Sequence, residues 1–220
     1  MKNIFIISLI IFSQSILAQQ NKTYTTAVAP KKLGFGLKAG VNFANVSNAG
    51  DINAESRTGF MAGAFLSPQF NQGQGFRSEI IFSQQGYNFK SNTNTGKVTL
   101  NYLLFPQLYT FNLGKVVQLQ IGGQLALLVN AVADSLNTIN GYNAYSKARD
   151  YYNTLDYGMA AGFELYPSKG MIIGARYNLS FAKTYKDESD YPVAPIPSFI
   201  PPKGTNAKNN VVQVFAGYRF

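Results

Sequence analysis

Few side chains in this 220-residue sequence can do chemistry, and the missing types narrow the options most. The chain has no His and no Cys, which removes Ser-His-Asp and Cys-His triads and the usual transition-metal ligands. Carboxylate pairs or a Ser-Lys arrangement remain. Outside the expected loops the carboxylates reduce to Glu79, Asp156 and Glu164. The charged residues sharing the polar faces of their segments are Lys38, Arg77, Arg176 and Arg219. An acid–base pair needs environments that push two carboxyl groups apart in pKa, whereas carboxylates set among arginines are neutralised. These seven residues therefore read as one network of compensated charge, with no catalytic residue and no cofactor. Asp187, Glu188 and Asp190 could offer oxygens to Ca²⁺, but they match no calcium-loop signature. Solvated charge is the expectation there, and no metal.

The segments that must hold these charges alternate strictly between apolar and polar residues, the mark of half-buried strands. Eight are expected, near 35–46, 59–70, 76–89, 98–111, 116–130, 156–165, 171–181 and 212–220. The fifth is among the clearest, with Val117, Leu119, Ile121, Leu125 and Leu127 opposite Gln118, Gln120 and Gln124. In the fourth, Val98, Leu100, Tyr102, Leu104 and Leu108 form the apolar set against Thr99, Asn101 and Gln107. Long and short connections alternate: short at Asn71–Gly75, Asn112–Lys115 and Pro167–Gly170, long after the first strand, over Tyr87–Lys97, Ala131–Leu155 and Lys183–Asn209. Outer-membrane barrels have short periplasmic turns and long extracellular loops. The expected fold is all-β: an antiparallel transmembrane β-barrel of eight strands with up-and-down topology.

A Lys or Arg at the lipid-facing midplane costs about 2–4 kcal/mol, so the charged face must be the lumen. Aromatics at the strand ends suit interfacial girdles. Phe35, Phe76, Phe111, Tyr166, Tyr218 and Phe220 are expected in the periplasmic belt, and Phe43, Phe60, Tyr102, Tyr157 and Phe181 in the outer one. A soluble lipocalin-like ligand-binding barrel has the same strand count with its apolar face turned inward. Its faces would be the reverse.

Residues 1–18 read as a secretory signal peptide, with Lys2, the apolar Ile4–Phe12 run and a small residue at Ala18. Residues 19–33 form a polar periplasmic leader and 34–220 the barrel. Without Cys there is neither a lipoprotein anchor nor a disulfide staple. The formal charge of +9 places its excess on the periplasmic rim, through Lys22, Lys31, Lys32, Lys115 and Lys169. That suits anionic inner-leaflet headgroups, and an envelope location excludes nucleic acid.

Several motifs resemble the PorT-like or outer membrane protein β-barrel family of small barrels, similar in shape to OmpA- and OmpX-type barrels. They are Gly36-Leu37-Lys38-Ala39-Gly40-Val41-Asn42, Glu79-Ile80-Ile81-Phe82-Ser83-Gln84-Gln85-Gly86, the Tyr102–Pro106 segment and the closing Phe215-Ala216-Gly217-Tyr218-Arg219-Phe220. The resemblance spans Leu33 to Phe220. It implies residence in the bacterial outer membrane, lipid as surroundings, and recognition of Tyr218 and Phe220 by the barrel-insertion machinery as an assembly signal. It does not deliver an activity. The function expected is a non-enzymatic structural or interaction barrel, meeting a protein partner through its extracellular loops or periplasmic rim, as in an accessory of a secretion or envelope complex. A narrow channel for small solutes is the alternative.

Overall fold

The computed structural model describes residues 33–47, 53–68, 73–90, 95–135, 148–187, 190, 200 and 206–220. The signal-peptide segment, the leader through Lys32, the Pro-rich 192–199 stretch, Tyr142 and Tyr145 of the long 131–155 connection and Glu188 lie outside the described residues, while Leu33, counted with the leader by sequence, opens the first strand. Eight strands form a closed barrel in chain order: β1 (Leu33–Ser47), β2 (Glu55–Pro68), β3 (Gln74–Lys90), β4 (Thr95–Leu113), β5 (Val117–Ser135), β6 (Leu155–Leu165), β7 (Met171–Ser180) and β8 (Lys208–Arg219). Every neighbouring pair is antiparallel, and β1 closes on β8 from Gly36↔Arg219 to Ser47↔Lys208. Closure leaves no sheet edge, the condition for a strand to cross lipid. The even count puts Leu33 and Phe220 at one end, with the short connections 69–73, 114–116 and 166–170.

Alternation then sorts the side chains. Phe35, Leu37, Val41, Ile80, Leu119, Ile121, Phe163, Ile173, Tyr177, Val212 and Val214 are exposed on the outer face, while Lys38, Asn42, Arg77, Glu79, Gln118, Gln120, Glu164, Arg176 and Gln213 are buried inside. The lipid face carries some polar residues, and Ser78 and Gln107, both directed outward on neighbouring strands, satisfy each other with a 2.8 Å hydrogen bond from the Ser78 hydroxyl. The soluble-barrel alternative required the opposite arrangement.

The strand β4 departs from expectation. Val98, Leu100, Tyr102, Leu104 and Leu108 face inward and are buried, so the apolar set lines the lumen and Leu103, Phe105, Tyr109 and Phe111 face outward. Tyr102 therefore does not join the outer belt: it is 2% exposed. Register fixes this. Leu104 pairs with Ile81 and Tyr102 with Ser83, and paired residues share a face, so the parity of β3 overrides the composition of β4. The expected second long loop also shortens to 91–94 because β3 and β4 continue beyond Tyr87 and Lys97. Gly86 helps this continuation: it has φ +134° and a Cβ there would lie 2.0 Å from the Val98 carbonyl oxygen.

Likewise β5 runs on to Ser135, where a loop was expected from Ala131. A register shift at Asn101/Tyr102 leaves Val129 without an opposite residue. This bulge flips the parity, so Ala131 and Ala133 become the inward residues. Lys97 and Asp134, assigned to loops by sequence, instead form a cross-strand ion pair at 3.2 Å. Arg57, also assigned to a loop, is the third residue of β2 and reaches over to the Val98 carbonyl and Thr99 hydroxyl of β4. At 10 and 11 residues, β7 and β6 match the roughly 9–11 needed to span a bilayer. With 19 residues each, β4 and β5 exceed it, so the ends beyond the short strands rise above the lipid.

Candidate functional site

Inward side chains of β1, β3, β5, β6 and β7 converge on a buried ion cluster, with two positions each from β3 and β5. Glu79 lies at its centre. Both its carboxylate oxygens accept from Lys38 Nζ, at 2.8 and 2.7 Å, and Arg176 grips the same carboxylate with Nη1 at 2.5 Å and Nη2 at 3.0 Å. Arg77 stands 3.8 Å from Glu79 and pairs with Glu164 at 2.5 Å. All five side chains are fully buried. The links from β3 to β6 and from β3 to β7 cross the lumen, so the cluster braces strands that are not neighbours.

Neutral groups complete the shell. Gln118 Oε1 accepts from Arg77 at 3.0 Å, and Gln120 Oε1 from Arg176 at 2.6 Å. Tyr166 accepts from Arg77 at 2.9 Å and donates to Glu164 at 2.8 Å. Burial holds this hydroxyl above the ordinary tyrosine range, which keeps it protonated and able to donate. Tyr166 thus turns into the lumen and is not a periplasmic girdle residue as its position at a strand end suggested. Above and beside the charges lie two rings. Phe65 faces Arg77 at 4.4 Å, and Phe215 faces Lys38 at 4.3 Å and Arg176 at 5.6 Å. Sequence parity carries a signal for both rings, since each alternates with an outward apolar residue, but the parity alone does not distinguish them from lipid-facing aromatics. Gly36 makes space for one of them, because a Cβ there would sit 2.2 Å from the Phe65 ring.

Two of the seven expected network residues stand apart. Arg219 donates to the Ser67 carbonyl at 3.0 Å near the barrel end that carries Leu33 and Phe220. Asp156, toward the opposite end, accepts from the Ser180 hydroxyl at 2.5 Å. The other five are brought together.

Toward the outer end the lumen is filled with apolar and aromatic side chains: Tyr87, Phe89, Val98, Leu100, Tyr102, Tyr152, Tyr185 and Ile200 belong to one buried cluster. The hydroxyls of Tyr87 and Tyr152 lie 2.8 Å apart, and the Tyr152 and Tyr185 rings pack at 5.2 Å. Two outer connections meet here, since Tyr152 pairs with Tyr185 as a β-bridge and the Asn153 amide donates to the Lys183 and Tyr185 carbonyls. Asp187 takes up Lys183 at 3.3 Å. Among the described residues no group of three His, Cys, Asp or Glu is placed to hold a metal.

On the outside, Phe35, Phe43, Phe60, Tyr157, Phe181, Tyr218 and Phe220 are exposed. Phe220 stacks on Phe35 at 5.8 Å and its amide donates to the Phe35 carbonyl at 2.9 Å, tying the C-terminus to β1 at the closing seam.

A family model described as "Outer membrane protein beta-barrel domain" matches residues 13–186. Among solved structures the chain is similar to Ail, the attachment invasion locus protein of Yersinia pestis, with 16% identity over 85% of this chain and 98% of that one and a TM-score of 0.45. It is similar to Neisserial surface protein A, with 16% identity, coverage of 84% and 97% and a TM-score of 0.47. It is similar to OprG of Pseudomonas aeruginosa, with 13% identity, coverage of 86% and 97% and a TM-score of 0.41. No curated protein sequence matches the chain.

Proposed function

Because the chain belongs to the outer membrane protein beta-barrel domain family and resides in the bacterial outer membrane, we propose that it serves there as a non-enzymatic structural or interaction barrel rather than as a pore. The observation that carries this reading is the filled lumen. An ion cluster with every charge fully buried lies below, and the aromatic cluster lies above. Charges in a water-filled channel would be hydrated and exposed. These are desolvated, a state that requires tight pairing.

Interaction then falls to the surfaces outside the lipid: the outer ends of β3, β4 and β5 with the connections they carry, and the periplasmic rim. The function would be that of an accessory in an envelope or secretion complex. Lys115 and Lys169 sit in the periplasmic turns, where anionic headgroups would meet them. Tyr218 and Phe220 would be read by the barrel-insertion machinery, a role supported by their exposed position at the closing seam. The signal peptide over residues 1–18 and the leader that follows complete this reading. Gentle detergent extraction of native envelopes followed by size separation tests it. The protein should run in a complex larger than its own micelle, and migration always alone would count against an interaction role.

A further inference from the structure

Between the ion cluster and the aromatic cluster is a cavity of about 10 Å³, lined by Gln85, Gln124, Asp156, Asn178, Ser180 and Asn209 among others. One water-sized species fits such a volume. Its lining is rich in acceptors that lack partners. Asn178 is 3% exposed and Asn209 5% exposed. Asn178 Oδ1, Asn209 Oδ1 and Gln124 Oε1 have no hydrogen-bond partner, and neither has Asn178 Nδ2. Buried amides without partners are costly, and three of these four atoms call for a donor or a cation.

Charge points the same way. Among the described residues, Asp156 is the lumen carboxylate with no Lys or Arg in ion-pair range, while Glu79 and Glu164 are both paired. A largely buried carboxylate beside amide oxygens is the ligand set of a hard cation. With one carboxylate and room for one small species, a divalent ion would lack both charge and ligands. We propose that this cavity binds a single alkali-metal cation of sodium size, held by the Asp156 carboxylate and the Asn178, Asn209 and Gln124 amide oxygens. The ion cluster below holds three cationic side chains against two carboxylates, which sets the affinity low.

The test is thermal unfolding of the detergent-folded barrel as choline chloride is replaced stepwise by sodium chloride at fixed ionic strength, so that screening is constant. The midpoint should rise and saturate with sodium. Asp156→Asn, checked for folded mobility on an unheated gel, should lose that rise, and Asn178→Asp should reach saturation at lower sodium. Equal midpoints in the two salts, or an unchanged response in Asp156→Asn, would overturn the proposal. Crystals soaked in thallium(I) should show an anomalous peak between Asp156 and Asn178. Density there without anomalous signal means an ordered water and would overturn it as well.

Discussion

Replacing Glu79 by Gln probes the ion cluster at its centre. The carboxylate accepts four hydrogen bonds, two from Lys38 and two from Arg176, and faces Arg77 at 3.8 Å. The substitution keeps shape and removes charge. Three cations then stand against the single carboxylate Glu164 with no solvent to screen them, since every side chain involved is fully buried. Breaking a buried pair by removing one partner costs about 3–5 kcal/mol, and the upper part of that range applies here because two cations lose their partner at once. Adding Lys38→Met removes one of the stranded charges and should recover about a third to a half of the loss. Equilibrium urea unfolding in lipid vesicles, with the folded fraction read from gel mobility before heating, gives both numbers. A loss below about 1 kcal/mol for Glu79→Gln, or no recovery in the double variant, would refute the idea that the cluster is desolvated and holds the barrel.

Other consequences are open to the same assay. Ile121, outward near the middle of the part of β5 that pairs with the short β6, should lose about 2–4 kcal/mol when changed to Arg, whereas Val129→Arg, outward beyond that pairing, should lose about 0–1 kcal/mol. Equal costs at the two sites would contradict the placement of the lipid band. Gly36→Ala should destabilise by about 1–3 kcal/mol through overpacking against Phe65, and Phe65→Leu in the same chain should relieve most of it. An unchanged midpoint in the single variant would show that the wall of β1 is not tight there.

Particular strands explain how much of this was legible in the sequence. In β1, β6, β7 and β8 an apolar residue alternates with a polar or small one except at the inward Val46, Ile172, Val211 and Phe215, so the faces and the closed eight-stranded sheet could be read directly. In β4 they could not. Its lumen side fills the aromatic and aliphatic upper core from Val98 to Leu104 while Leu103, Phe105 and Tyr109 stand on the other face beside Thr99 and Gln107, so only the pairing with β3 decides between them. The ends of β5 were hidden by the Val129 bulge, which interrupts the period that marks a strand.

For the site, parity and charge were enough to direct Lys38, Arg77, Glu79, Glu164 and Arg176 inward. They could not say which would pair. The partners are 41 residues apart for Lys38 and Glu79 and 97 apart for Arg176 and Glu79, and such contacts depend on how the strands are staggered around the barrel. Asp156 and Arg219 share the inward parity but sit at other depths, which parity does not report. Tyr166 shows the same limit at a strand end, where a tyrosine can turn to the interface or into the lumen with no difference in the sequence.

Current through planar bilayers holding the purified protein tests most directly whether the lumen is sealed. The wild-type barrel should give no steady conductance in potassium chloride, and Arg176→Ala, which removes the side chain bridging Glu79 and Gln120, should leave it closed under the aromatic cluster. Reproducible conductance steps from the wild-type protein would contradict the sealed barrel and restore the channel.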